Sequence, residues 1–224
     1  MVERGADSRS PGTVASPAPG RRGSRGGPAE PPTGPAGSSQ MDATPARIED
    51  VLHLRAARHR DGRGYFSEIF NSLRFAAEAG PEIRFVQDNL SRSDAAGTVR
   101  GFHFQAPPMA QAKLVWVVSG AVLDVALDLR PESATFGRHV ATRLSAAEGN
   151  QVFIPEGFAH GFCTLVPETI VMYKVNRHYS AEHERGILWN DPDLGIAWPV
   201  AEAEAILSPR DRALPRWKDV PRFF

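Results

Sequence analysis

Seven consecutive residues, Val99-Arg100-Gly101-Phe102-His103-Phe104-Gln105, bring a guanidinium, an imidazole and an amide together, and Lys113 adds an ammonium ten residues after the imidazole. A neutral imidazole of ordinary pKa near ~6.5 is a general base at neutral pH. A lysine in a dry cavity can neutralise a forming oxyanion. Together they suit removal of a proton from carbon beside a carbonyl, and they need no cofactor for it. Epimerisation also needs an acid on the opposite face. Tyr173, within Ile170-Val171-Met172-Tyr173-Lys174, is the best-placed phenol, and Tyr179 is second.

A second stretch runs from Gly149 through Pro155-Glu156-Gly157-Phe158-Ala159-His160. A strand ending at Pro155, a reversal at Gly157 and an inward His160 follow from the residue types. This spacing matches the second signature of the cupin family, with Thr164 in place of the terminal Asn. Cupins are jelly-roll barrels with a pocket inside. Most hold a metal through His-x-His, Glu and a late His. Here Phe104 and Gln105 follow His103, and Lys113 stands where the Glu would be. An ammonium offers no lone pair and repels a divalent cation, so no metal is expected.

The elements that position these groups read mostly as strands. Strands are predicted over 51–54, 65–70, 83–89, 98–105, 113–118, 121–129, 137–144, 151–154, 160–166 and 169–175. Helical spacing covers 71–79, with Gly80 as a C-terminal stop. Ser119-Gly120 reads as a tight hairpin. Leu123, Val125, Leu127 and Leu129 alternate with Asp124 and Asp128, which predicts one buried face and the aspartates in water. Residues from 181 onward read as loops with short helical pieces. Many short strands without alternating helices mean an all-β fold, here a cupin-type jelly-roll barrel with a few short peripheral helices.

Composition narrows the function classes. The chain has 224 residues, 42% hydrophobic and 23% charged, with formal net charge zero. No global field points to nucleic acid or an anionic membrane, and no apolar run reaches a membrane span. The single cysteine, Cys163, excludes a disulfide framework and fits a reducing cytoplasm. Residues 1–40 contain no Phe, Trp, Tyr, Ile or Leu and are dense in Gly, Pro, Ser and Arg. They are expected to be a disordered extension, with Met41 as an alternative start, and 41–224 to form one domain. His53, His59, His139, His178 and His183 read as surface or packing residues, and Trp189 and Trp198 as packing. Cys163 reads as buried and inert, on the opposite strand face from His160.

With these blocks in order, the chain resembles the dTDP-4-dehydrorhamnose 3,5-epimerase family of cofactor-free cupins from about Ile48 to Asp211. The match includes Arg63-Gly64-Tyr65-Phe66 with Glu68, Gln87-Asp88-Asn89 with Ser91, Arg100 to Gln105, Lys113-Leu114-Val115, Pro155 to Phe162, Tyr173-Lys174, Trp189-Asn190-Asp191-Pro192, and Leu207-Ser208 with Asp211. The resemblance implies His103 as base, Tyr173 as acid, Asp211 as the carboxylate orienting the His, and Lys113 at the sugar C4 oxygen. It implies nucleotide and pyrophosphate contacts from Arg63, Glu68, Gln87, Asp88, Asn89, Arg100, His160 and Glu184, with Tyr179 and Arg210 beside them. It also implies a homodimer with shared sites, in which Arg63 and Glu68 serve the neighbour's pocket. The expected substrate is a dTDP-4-keto-6-deoxyhexose, inverted at C3 and C5. Alternatives are inversion at one carbon, a ketone shift, or a sugar-nucleotide-binding cupin without catalysis. Two departures from the family pattern stand out: Phe102 and Phe104 replace the usual Leu and Tyr, and Arg210 replaces a Lys before Asp211.

Overall fold

The computed structural model describes residues 42–45, 48 and 50–224. The expectation of disorder over 1–40 lies outside them. In chain order the strands begin with β1 (Asp42–Pro45), β2 (Leu52–Arg55), β3 (His59–Asp61) and β4 (Gly64–Phe66), followed by helix α1 (Ser72–Ala79). Next come β5 (Gln87–Ser93), β6 (Val99–Gln105), β7 (Lys113–Ser119), β8 (Ala121–Asp128) and β9 (His139–Ser145). The chain continues with β10 (Asn150–Ile154), β11 (Phe158–Thr164), β12 (Thr169–Val175), β13 (Glu184–Gly186) and the short helix α2 (Pro209–Arg212).

Two antiparallel sheets face each other. One runs β1-β2-β10-β7-β12-β5 and the other β13-β6-β11-β8-β9, with β3 and β4 as a separate hairpin. This is the jelly-roll arrangement expected from the strand pattern. Val115, Val117, Val152, Ile154 and Val171 of the first sheet meet Val122, Ala126, Leu144, Phe158 and Phe162 of the second in a buried layer. Helix α1 covers part of the first sheet's outer face. The Asn71 side chain accepts from the backbone N–H of Leu73 and Arg74, and Gly80 ends the helix. Phe75 is buried against Phe70, Phe85 and Phe153, a burial that contributes about 2–3 kcal/mol.

Three expectations are corrected. Ser119-Gly120 is not a hairpin between paired strands: β7 belongs to the first sheet and β8 to the second, so this turn carries the chain across the sandwich. Gly120 has φ +82°, and a Cβ there would lie 2.3 Å from Thr169 Oγ1. Asp124 and Asp128 are not in water; they are 1% and 0% exposed. Both faces of β8 are covered. Leu123, Val125 and Leu127 pack outward under residues from the C-terminal segment, including Trp198, Trp217 and Phe224, which leaves the aspartates facing inward. Asp128 accepts from Arg130, Ser133 and Thr135, and these bonds outweigh burial to bring its carboxyl down to about 2. Finally, the strand expected over 83–89 lies at Gln87–Ser93, because Ile83 and Phe85 pack against α1 instead.

Candidate active site

The second sheet's β6 carries His103, and its geometry depends on Gly101. A Cβ at Gly101, where φ is +106°, would lie 2.6 Å from the His160 carbonyl oxygen. The close approach of β6 and β11 therefore needs glycine. It places His103 directly opposite His160 across the two strands. Beyond these residues lies a cavity of about 350 Å³ between the sheets. The first sheet contributes Ser91, Lys113 and Tyr173 to its wall. The second contributes Arg100, His103, His160, Phe162 and Glu184, and Ser208, Arg210 and Asp211 close one side from α2 and its cap.

Two His–Asp pairs stand in this region. His103 Nε2 lies 2.7 Å from Asp211 Oδ1. Ser208 caps α2 by accepting from the Asp211 N–H, which sets the helix start so that the carboxylate faces β6. Burial alone would raise the Asp211 carboxyl; hydrogen bonds from His103, the Gly101 backbone and Ser208 outweigh it and hold the group below its ordinary value. A carboxylate so placed accepts Nε2–H and leaves Nδ1 with its lone pair. The second pair is His160 Nε2 and Asp124 Oδ2, also at 2.7 Å, and both residues are buried. Burial lowers the His160 pKa against the pull of Asp124.

Lys113 is 7% exposed and donates to the His103 carbonyl oxygen at 3.3 Å. Burial lowers its pKa to about 8, with Asp124 and Glu184 opposing the shift. Tyr173 is raised by burial, and Arg100 draws it partly back. On the exposed side of the cavity, Glu184 accepts from the Tyr179 hydroxyl at 2.6 Å and pairs with Arg210 at 2.8 Å. Burial would raise Glu184, but these two partners and His103 hold it low. Arg100 donates to Ser93 Oγ and the Arg92 carbonyl oxygen, which fixes its guanidinium at the wall.

The cavity thus brings together His103, Lys113, His160, Tyr173, Tyr179, Glu184, Arg100, Arg210 and Asp211 from the sequence-based set. It does not include Arg63, Glu68, Gln87, Asp88 or Asn89 in its wall. Arg63 is exposed and pairs with Asp61 in the β3–β4 turn, and Glu68 pairs with Arg74. Asp88 faces outward to Lys174. Gln87 and Asn89 are bonded to each other beside the cavity, and Gln87 also accepts from the Tyr179 N–H. Sequence reasoning placed Asp124 in water and so missed it as the partner of His160, and it did not single out the role of Gln105. That side chain donates to the Met109 and His178 carbonyl oxygens and accepts from the Ser180 N–H, tying two loops to β6. Of the two aromatic departures, Phe102 is fully buried and Phe104 packs on Phe223 and Phe224. Among the described residues no three His, Cys, Asp or Glu side chains are grouped to hold a metal ion.

A two-sheet jelly roll with a His–Asp pair, a buried lysine and a tyrosine facing one cavity defines the class: a cupin-type fold built for proton transfer. The chain belongs to the dTDP-4-dehydrorhamnose 3,5-epimerase family, whose model matches residues 45–219. It is 47% identical over 171 residues to dTDP-4-dehydrorhamnose 3,5-epimerase of Shigella flexneri, covering 76% of this chain and 93% of that one. The crystal structure of the Bacillus anthracis enzyme of the same name, with TDP and PPi bound, superposes with TM-score 0.75 at 48% identity, over 79% of this chain and 99% of the other. A 3'-monoepimerase from Streptomyces bikiniensis, in complex with dTDP-quinovose, superposes with TM-score 0.72 at 34% identity, over 77% and 86% of the two chains.

Proposed function

We propose that this chain catalyses cofactor-free epimerisation at C3 and C5 of a dTDP-4-keto-6-deoxyhexose, giving dTDP-4-dehydro-L-rhamnose. The observation that carries the reading is the His103–Asp211 pair, whose imidazole faces the same cavity as Lys113 and Tyr173. The C4 ketone makes the hydrogens on both neighbouring carbons acidic. His103 removes one as a general base, and Asp211 steadies the imidazolium that forms. Charge moves onto the ketone oxygen as the enolate develops, where Lys113 stabilises it. Tyr173 returns a proton to the opposite face of the carbon. His103 then passes its proton to solvent, Tyr173 takes one back from solvent, and the cycle repeats at the second carbon. Arg100, His160, Tyr179, Glu184 and Arg210 hold the nucleotide sugar, with the guanidinium groups suited to a diphosphate.

We place the enzyme in the cytoplasm as a homodimer in which the β3–β4 segment of one copy reaches the cavity of the other. Several features support the dimer. Arg63 and Glu68 stand away from the cavity of their own chain. Tyr65 and Phe66 are 53% and 70% exposed on that hairpin. Leu90 and Val118 lie exposed on the first sheet.

Fold alone does not set how many carbons are inverted, since a 3'-monoepimerase shares it. Incubating the protein with dTDP-4-keto-6-deoxy-D-glucose in heavy water and reading the label by NMR decides. Deuterium at C3 and C5 is the expected result. Label at one carbon shows a single epimerisation, and label at neither, with binding retained, overturns the enzymatic reading.

A further inference from the structure

The strand β13 is three residues long and stands at the edge of its sheet, bonded on one side to β6. Its register sets Glu184 against Gln105, Arg185 against Phe104 and Gly186 against His103. Successive side chains on a strand point to opposite faces. Glu184 faces the cavity, where it holds the Tyr179 hydroxyl and Arg210, so Arg185 shares the outer face with Phe104. A strand this short, with one neighbour, gains little from its own ladder. Cover on its outer face therefore decides how firmly it sits.

That cover comes from residues 220–224, which follow the stretch matched by the family model, ending at 219. The Phe223 ring centre lies 5.7 Å from that of Phe104 and 5.5 Å from the Arg185 guanidinium. One ring thus spans the cross-strand pair beside His103 and Gly186. Phe223 also borders two cavities, of about 150 and 310 Å³, and Glu184 and Arg210 border the larger. A ring beside voids makes few other packing contacts, and the larger void leaves β13 room to shift once the ring is gone. We propose that Phe223 is a positioning residue: by holding Arg185 against Phe104 it fixes β13 on β6, and so keeps Glu184, and through it Arg210, placed for the nucleotide sugar. The ring itself touches no substrate. This rests on the reading of the cavity as a nucleotide-sugar site.

The test is steady-state kinetics on the full chain, with calorimetric titration of dTDP. Phe223→Ala should raise KM for the nucleotide sugar about three- to tenfold, the size of effect that such aromatic and cation contacts carry, with kcat within about twofold. Phe223→Leu keeps apolar bulk but loses the ring; it should raise KM by a smaller factor with the melting temperature nearly unchanged. Phe223→Tyr, which keeps the ring, should return KM close to the wild-type value. Phe136→Ala removes a ring that packs on Trp217 and Arg222; it should lower the melting temperature and leave KM alone. Because Phe223 acts through Glu184, adding Phe223→Ala to Glu184→Gln should raise KM no further. Wild-type KM in Phe223→Ala or Phe223→Leu overturns the proposal. So does an equal rise in Phe136→Ala, or a full further rise in the double variant. A wild-type protein that neither binds dTDP nor turns over the nucleotide sugar would instead overturn the reading of the cavity.

Discussion

Two His–Asp pairs of the same length sit on neighbouring strands, and they differ in burial. In the His103–Asp211 pair the imidazole is 32% exposed to the cavity. In the His160–Asp124 pair the side chains are 7% and 1% exposed. The same bond therefore has two consequences. At His103 one nitrogen is held by a carboxylate and the ring still meets substrate and solvent, so protons can arrive and leave. At His160 the bond closes off a buried aspartate, and its first effect is to keep an inward-facing charge satisfied. The buried pair also supports the cavity at a distance, because Asp124 opposes the loss of charge on Lys113.

The largest difference should appear on removing the bases themselves. His103→Ala should lower kcat by about 10³-fold, within the range for loss of a general base, with little change in melting temperature. Next, the two aspartates should separate stability from rate. Asp124→Ala leaves a buried imidazole N–H without its acceptor and should cost about 2–3 kcal/mol, read as a melting temperature lower by roughly 5–10 °C. Asp211→Ala should cost about 1–2 kcal/mol of stability, yet lower kcat by about 10–100-fold through loss of ring orientation. Equal stability losses for the two would remove the distinction drawn between them.

A smaller effect should appear in the pH profile. Lys113 must be protonated to stabilise an enolate, and its pKa is lowered by burial to about 8. As pH rises through that value the ammonium is lost, so kcat/KM, which reports the free enzyme, should fall by up to tenfold per unit above it. Lys113→Met should show lower activity without that alkaline limb. An unchanged limb in Lys113→Met would assign it to another group.

Much of this was legible in the residues. β12 lies at 169–175, where a strand is expected, and α1 ends at Gly80 as its stop signal indicates. His103, Lys113 and Tyr173 converge on one cavity, as their strand positions suggested. The misreadings of β5 and β8 share a cause. Alternation reports which residues differ across a strand, not which face is wet. On β8 the C-terminal segment covers the leucine face, which local spacing cannot reveal, and Asp124 and Asp128 turn inward. On β5 the cavity takes the polar face, so apolar spacing pointed instead to Ile83 and Phe85. The three-residue β13, Glu-Arg-Gly, carries no apolar signal and forms only because β6 offers it an edge.

Exchange of substrate hydrogen with heavy water, followed by NMR in the His103→Asn variant, tests the central assignment most directly. The account predicts that dTDP-4-keto-6-deoxy-D-glucose still binds but gains no deuterium at C3 or C5 over the time in which the wild type labels fully. Labelling at the wild-type rate would show that another group removes the proton.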